Sequence, residues 1–143
     1  MNQRDKIISL FDDNITSKVG FFVMGGVFSE GIDFVGDKLS GVLIVSVALP
    51  QINYTNELLK EHFDERFNDG FNYSYTYPGF NKLLQSAGRV IRSNEDKGVI
   101  IIADKRITNY KYLSMIPSHW NHYKRINNIK ILEQELKNFW NKK

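Results

Sequence analysis

The sequence predicts an α/β fold in which a parallel sheet is packed between helices. Three apolar runs, at 20–27, 41–49 and 98–103, alternate with segments that have the periodicity of helices. The second and third runs are rich in valine and isoleucine and lack polar alternation, which is typical of strands buried on both faces of a parallel sheet. Strands that alternate with helices indicate an α/β sandwich. We therefore expect parallel strands near 20–27, 41–48 and 98–103, with helices on both faces of the sheet.

Apolar periodicity predicts four helices, at 3–12, 53–68, 80–93 and 119–141. Asn56 is predicted to cap the second helix, because asparagine accepts hydrogen bonds from the first helical turn. Pro78-Gly79 is predicted to break the chain before the third helix. Three parallel strands make a small sheet whose edges need partners, so we expect the chain to be part of a domain that is truncated at its N-terminus.

The composition bounds the class of protein. The 143 residues suffice for one domain with one core, and 42% hydrophobic with 24% charged residues is typical of a globular protein. No stretch approaches the roughly 20 apolar residues of a membrane-spanning helix, so we expect no membrane partner. The absence of cysteine excludes disulfides and thiolate metal sites, and it is consistent with a cytoplasmic location.

Charge is distributed unevenly along the chain. Residues 105–143 hold 9 of the 19 Lys and Arg residues but only two acids, a net charge of +7 against +3 for the whole chain. A basic segment of this kind suits a polyanionic partner. A solvated, lysine-rich helix explains the composition equally well.

The predicted helix at 80–93 has one apolar and one polar face. At 100° per residue, Gln85, Gly88, Arg89 and Arg92 share about 100° of arc, opposite the apolar side chains. Glycine costs a helix about 1 kcal/mol relative to alanine, so its place in the polar stripe suggests a close approach by a ligand. Two guanidinium groups can bind a phosphate through paired hydrogen bonds. An ordinary solvated face remains open as the alternative.

A glycine-rich segment follows the first apolar run. Residues 24–36 read MGGVFSEGIDFVG and place Ser29, Glu30 and Asp33 among four glycines. Glycines permit tight turns and leave backbone amides open to phosphates. The chain contains no GxxxxGK[ST] sequence, so this is not a P-loop. A glycine-rich connection without a ligand is the better explanation of the segment taken alone.

Taken together and in this order, the two segments resemble motifs V and VI of superfamily 2 helicases, in the wording of the XPD/DinG branch. The motif VI pattern Q-x-x-G-R-x-x-R is met at Gln85, Gly88, Arg89 and Arg92, and the motif V pattern SEGID at 29–33. The resemblance runs from about residue 21 to residue 106 and more weakly to the C-terminus.

The resemblance implies a RecA-like, P-loop-NTPase-type three-layer lobe. In these helicases two such lobes bind ATP and Mg²⁺ between them, and the first lobe holds the Walker A loop and, in this branch, usually a four-cysteine iron–sulfur cluster. This chain lacks the Walker A sequence and cysteine. We therefore expect 1–143 to be a single domain, the second lobe of a larger parent, with a basic helical segment at about 119–143. Any iron–sulfur cluster would belong to the parent and not to this chain.

The resemblance also implies a role for each matching residue. Arg92 would be the arginine finger that stabilises charge on the transferred phosphoryl group, with Arg89 and Gln85 beside it. The implied site residues are Arg92, Arg89 and Gln85 for catalysis, Asp33, Gly88 and Glu30 for nucleotide binding, and Ser29 and Gly31 for DNA binding, with no metal ligand in this chain.

The implied function is that of a motor lobe that couples ATP hydrolysis to translocation on single-stranded DNA and to duplex unwinding. Its partners would be single-stranded DNA and the first lobe of the same parent, and the isolated chain should be inactive. The alternative is a non-catalytic RecA-like module that binds nucleic acid or protein.

Three further groups have weaker functional interpretations. Asp104 and Arg106 end the third predicted strand, where a structural salt bridge is favoured over a ligand site. The aromatic residues of 71–80 could stack on bases, although packing on the protein is favoured. His119 and His122 are too few for a metal site and are interpreted as a surface pair.

Overall fold

The computed structural model describes residues 3–11, 16–26, 39–91 and 95–141. Within these ranges the fold is α/β, as predicted. The elements in chain order are α1 (Gln3–Ser9), β1 (Gly41–Val45), α2 (Tyr54–Phe67), a π-helix (Asn72–Thr76), α3 (Tyr77–Ala87), β2 (Val99–Ala103), a 3-10 helix (Lys105–Thr108), α4 (Tyr110–Leu113), a 3-10 helix (Ser118–Trp120) and α5 (Ile129–Asn141).

The two strands form a parallel pair, in which Gly41 lies opposite Val99 and Val45 opposite Ala103. The predicted parallel strands are therefore confirmed for residues 41–45 and 99–103, whereas residues 46–48, predicted to continue the first of them, lie beyond the end of β1. Helix α3 packs against β1, and Ile44 lies buried at that contact. The buried core consists of Ile44, Val47, Phe80, Leu83, Ala87 and Tyr112.

One face of β1 is exposed in the part of the chain that the structure describes. Leu43 and Val45, which alternate with Ile44 along β1, are 59% and 67% exposed. On the same face of β2, Ile101, which lies opposite Leu43, is partly buried. Successive side chains of a strand point to opposite faces, so the described residues bury only one face of β1. The sequence predicted that β1 is buried on both faces because the strand is continuously apolar. The described residues bury fewer of its apolar side chains than that prediction requires.

The prediction of a strand at 20–27 is wrong for residues 20–26, and Val27 lies outside the described residues. This segment ends in a turn in which the Gly26 amide donates to the Val23 carbonyl at 3.0 Å, and Gly25 has φ +79°. Phe21 and Val23 are 94% and 80% exposed. An apolar run becomes a strand only when a neighbouring edge accepts its hydrogen bonds, and the described sheet pairs only β1 with β2.

The N-cap of helix α2 lies three residues before the predicted cap. The Asn53 side chain accepts a hydrogen bond from the Asn56 amide at 2.9 Å, so Asn53 is the N-cap and the prediction of Asn56 is wrong. Asn56 instead donates its side-chain amide to the Gln51 carbonyl at 2.7 Å. The helix ends at Asn68, whose left-handed conformation (φ 52°) is tolerated by asparagine.

The predicted break at Pro78-Gly79 is also wrong. Helical structure runs from residue 70 through the π-helix into α3 without interruption. Pro78, which has no N–H to donate, therefore lies inside a continuous helical segment, directly after the π-helix. A Cβ on Gly79 would lie 3.0 Å from the Ala48 carbonyl oxygen and 3.0 Å from Leu49 Cα. Glycine at this position therefore allows α3 to approach the chain that leaves β1.

Three predicted helices are shorter in the structure than the periodicity indicates. Helix α1 ends at Ser9, three residues before the predicted end at 12. Helix α3 ends at Ala87, six residues before the predicted end at 93. The C-terminal segment forms a short 3-10 helix at Ser118–Trp120 and then α5 from Ile129, with non-helical chain between them. None of the described helices combines the length and the apolar character needed to cross a membrane.

Candidate functional site

The C-terminal end of α3 presents part of the predicted arginine motif to solvent. Gln85 and Gly88 are exposed and Arg89 is partly buried. On the opposite side, Leu83 and Ala87 are completely buried. The predicted division between a polar and an apolar face is confirmed for these residues.

The helical arrangement predicted for the motif does not extend beyond Ala87. Gly88 caps the helix and donates its amide to the Leu84 carbonyl at 2.8 Å. Arg89 lies in the following turn, where its amide donates to the Ser86 carbonyl at 3.3 Å. The prediction that Arg89 shares a helical stripe with Gln85 is therefore wrong. Ile91, predicted to face the core, is exposed because the helix has already ended.

Packing among the described residues does not account for glycine at position 88. Its φ of −64° is accessible to any residue. An added Cβ would contact only the Leu84 and Gln85 carbonyl oxygens, at 3.3 and 3.7 Å. No other atom of the described residues lies within 4 Å of that Cβ position.

Five of the predicted site residues lie outside the described residues: Ser29, Glu30, Gly31, Asp33 and Arg92. Their predicted roles therefore stay predictions.

A second polar cluster lies where the two strands end. Asp104 directly follows β2, and its Oδ2 atom accepts a hydrogen bond from the Val47 amide at 2.8 Å, just beyond the end of β1. Its Oδ1 atom accepts from the Arg106 amide at 2.8 Å and thereby caps the 3-10 helix. The carboxylate thus connects three segments of backbone at the carboxyl edge of the sheet.

The Arg106 side chain completes this cluster. Its Nε donates to both Asp104 oxygens at 3.1 Å, and its Nη2 donates to Asp104 Oδ2 at 2.7 Å and to Ser46 Oγ at 2.8 Å. The hydrogen bond from the Arg106 side chain is the largest cause that lowers the pKa of Asp104 to about 2, against the effect of burial. The same hydrogen bond raises the pKa of Arg106. The predicted structural salt bridge is confirmed.

Ser46 is the member of the cluster that the sequence did not reveal. It has φ +75°, a left-handed conformation that is uncommon outside glycine, asparagine and aspartate. Backbone strain of this kind is concentrated at functional sites. The prediction placed Ser46 inside a strand, because the apolar run continues through Val47 and Ala48.

The aromatic segment at 71–80 packs on the protein in part. Tyr75 and Phe80 are buried, as favoured, whereas Phe71, Tyr73 and Tyr77 are 49%, 40% and 37% exposed. The Tyr73 ring stacks on Phe63 with 4.9 Å between centroids. The Tyr75 hydroxyl donates to Glu57 Oε1 at 2.6 Å, and this hydrogen bond is the main cause that raises the pKa of Tyr75 to about 12.

The described residues include no group of three or more His, Cys, Asp or Glu side chains that could hold a metal ion. His119 packs edge-on against the neighbouring Trp120 ring, with 5.9 Å between centroids.

Comparison with known protein families decides the identity of the fold. The family described as the helicase C-terminal domain matches residues 1–123. This chain belongs to that family. The match includes both segments, at 28–34 and 85–92, on which the resemblance to XPD/DinG-type helicases was based.

Individual relatives of this helicase C-terminal domain agree with the XPD/DinG branch. It is 29% identical over 116 residues to the ATP-dependent DNA helicase DinG of Photobacterium profundum, covering 80% of this chain and 17% of that protein. It is 33% identical over 98 residues to the XPD helicase subunit of general transcription and DNA repair factor IIH of Dictyostelium discoideum, covering 66% of this chain and 12% of that protein. It is 33% identical over 135 residues to the 3'-5' exonuclease DinG of Staphylococcus epidermidis, covering 90% of this chain and 14% of that protein. The helicase C-terminal domain thus spans less than a fifth of the length of these relatives.

Proposed function

We propose that this chain is the second motor lobe of an ATP-dependent DNA helicase, which couples ATP hydrolysis to movement along single-stranded DNA and to duplex unwinding. The observation that carries the proposal is membership of the helicase C-terminal domain family over residues 1–123. Exposure of Gln85 and Gly88 at the end of α3 supports the proposal, because residues that contact a nucleotide held by the first lobe must face outward.

In this proposal residues 85–92, called the arginine segment below, act on the nucleotide. Arg92 stabilises the charge that develops on the transferred phosphoryl group, Arg89 supports it, and Gln85 orients a phosphate oxygen or the attacking water. The open space beside Gly88 admits the nucleotide close to the backbone. Binding of ATP and Mg²⁺ requires the first lobe, which supplies the phosphate-binding loop and the magnesium ligands.

The glycine-rich segment acts on the nucleotide and on the DNA. Asp33 and Glu30 contribute to the nucleotide site, and Ser29 and the Gly31 amide contact the DNA backbone. An iron–sulfur cluster would lie in the parent's first lobe, because this chain has no cysteine to ligate one.

Reconstitution tests the proposal. The chain alone should release no phosphate from ATP, because it lacks a P-loop. Addition of a separately produced first lobe from a DinG-type relative, or its fusion to this chain, should produce ATP hydrolysis that single-stranded DNA stimulates. Steady hydrolysis by the rigorously purified chain, or an inactive assembly whose two lobes demonstrably associate, would contradict it.

A second candidate function follows from the relative aligned over 90% of this chain, which is named a 3'-5' exonuclease. The same lobe could serve a nuclease, with the hydrolytic residues elsewhere in the parent. A DNA duplex with a labelled 3' overhang distinguishes the two: a helicase releases the intact labelled strand when ATP is present, whereas a 3'-5' exonuclease shortens it.

A further inference from the structure

The Arg106 guanidinium is fixed along one edge and open along the other. Its Nε and Nη2 atoms make all of its hydrogen bonds to Asp104, Ser46 and Val47. The Nη1 atom makes no hydrogen bond to a described residue, and the side chain is 40% exposed. A guanidinium that is held in one orientation loses little conformational entropy when its free N–H groups bind a ligand.

The free edge is suited to an oxyanion. Asp104 is 7% exposed, and its two oxygens are occupied by Arg106 and by backbone amides. The neighbouring Lys105 is exposed, and the segment from 105 onward carries the chain's excess of positive charge. Phosphate is the oxyanion that an arginine fork in a basic surface binds well.

The position of Arg106 separates this phosphate from the one that the arginine segment is proposed to contact. Val90 packs against Gly98, since a Cβ on Gly98 would overlap Val90 Cγ1. The turn with Gly88 and Arg89 therefore lies near the start of β2, whereas Arg106 lies beyond its end. A five-residue strand separates the two backbone positions by about 16 Å along the sheet, so Arg106 and the turn with Arg89 lie at opposite ends of β2.

We propose that Arg106, held by Asp104 and Ser46 at the carboxyl edge of the sheet, binds a backbone phosphate of single-stranded DNA. This inference rests on the proposed function, from which it takes the ligand, and it adds a contact that neither helicase motif includes. The left-handed Ser46 matches this role, because its hydroxyl fixes the guanidinium from the β1 side of the edge.

Salt-dependent binding of a fluorescein-labelled 20-nucleotide oligo(dT) by the whole chain tests the inference. Each phosphate contact on a single strand contributes about 0.7 to the slope of log K against log salt. Arg106→Gln should lower the affinity several-fold and reduce the slope by about 0.7. Arg66→Gln, which removes the same charge at the far end of α2, is the matched control and should leave the slope unchanged.

Two further measurements keep the result interpretable. Arg106→Lys retains a positive charge beside Asp104 but lacks the second N–H edge, so it should still bind oligo(dT) more weakly than the wild type. Thermal melting of both Arg106 variants identifies those that stay folded at the temperature of the binding assay. In the assembly with a first lobe, which ATP binding requires, binding of a fluorescent ATP analogue should be the same for the wild type and both variants. A selective loss of that binding would assign Arg106 to the nucleotide phosphate and overturn the inference.

The remaining outcomes separate the inference from the proposed function. If the wild type binds oligo(dT) and folded Arg106 variants bind it equally well, the inference is wrong and the proposed function stands. Equal weakening by Arg66→Gln would reduce the effect to overall charge and would also overturn the inference. If the wild-type chain binds no oligo(dT) even at low salt, the proposed DNA contact of this lobe fails, and the inference fails with it.

Discussion

Asp104 is a buried acid whose charge is stabilised by the residues around it. Arg106 and two backbone amides donate to its oxygens, and they lower its pKa to about 2 from an ordinary value of 3.8. Because the folded pKa is below the unfolded one, this group stabilises the fold above about pH 4. The contribution is lost as the pH falls from about 4 toward 2.

Replacement of this acid should remove both the stability and its pH dependence. We expect Asp104→Asn to lower the free energy of unfolding at pH 7 by about 2 kcal/mol, since the amide cannot pair with the guanidinium. Urea unfolding at pH 7 and pH 3 measures the effect, and the difference between the wild type and the variant should shrink at the lower pH. Equal stability at pH 7 would show that the ion pair contributes nothing net.

Substitution of Arg92 tests its proposed role in ATP hydrolysis. In an active protein that joins this chain to a first lobe, Arg92→Ala should reduce ATP turnover by about 10³-fold or more, because an arginine finger acts on charge in the transition state. Binding of ATP and single-stranded DNA should change little. Arg92→Lys should also fail, since an ammonium group does not reproduce the guanidinium fork.

The control for Arg92 is Arg66→Ala, and thermal melting of every variant belongs beside the kinetics. Wild-type turnover in Arg92→Ala would remove this residue from catalysis and favour the non-catalytic module. A loss of turnover that only follows early melting would assign it a structural role.

Helix α3 is the element that connects the core to the proposed site. Its first half packs on the chain after β1 through Gly79, and its last turn presents Gln85 and Gly88 to solvent. The two glycines therefore lie in different surroundings. A Cβ on Gly79 would lie 3.0 Å from the Ala48 carbonyl oxygen and from two Leu49 atoms. Among the described residues, a Cβ on Gly88 would meet only two carbonyl oxygens, at 3.3 and 3.7 Å.

Alanine substitution should therefore change the free energy of unfolding at one of these glycines and not at the other. Gly79→Ala should lower the free energy of unfolding by roughly 1–3 kcal/mol, because α3 must shift away from Ala48 and Leu49, even though alanine favours a helix by about 1 kcal/mol. Gly88→Ala is the matched control and should unfold close to the wild type. Chemical denaturation measures both, and an unchanged Gly79→Ala would mean that the close approach relaxes without cost.

At the scale of the whole molecule, the sheet exposes one face of β1 in the described part of the chain. Leu43 and Val45 expose apolar side chains next to each other on this face. Contiguous apolar surface of this kind is typically covered by another chain or domain. The chain spans 12–17% of the relatives reported above, so in those proteins most of the mass lies outside the matched region.

We expect the chain to self-associate at high concentration through this face. The double variant Leu43→Ser/Val45→Thr should remain monomeric with a nearly unchanged free energy of unfolding, because both side chains are already exposed. Ile52→Ser, an exposed apolar residue before α2, is the control and should associate like the wild type. Multi-angle light scattering measures the mass, and a wild type that stays monomeric at every concentration would contradict the expectation.

The sequence by itself determined the parallel strands at 41–45 and 99–103, the buried side of α3 and the family. These features depend on composition and periodicity, which record how much of each element is buried and on which side. The family followed from two short motifs whose order and spacing are visible without coordinates. The Asp104–Arg106 pair was also predictable, because both residues directly follow an unmistakable strand.

Tertiary structure alone decided where elements end and which of them pair. Helix α3 stops at Ala87 although the periodicity continues to 93, and the apolar run at 20–26 forms no strand because no described edge pairs with it. The left-handed Ser46 and the close approach at Gly79 depend on Arg106 and on the chain after β1, which are 60 and about 30 residues away in sequence. Contacts of this kind change the free energy of the fold only when segments distant in sequence come together. They therefore cannot be predicted from the local sequence pattern.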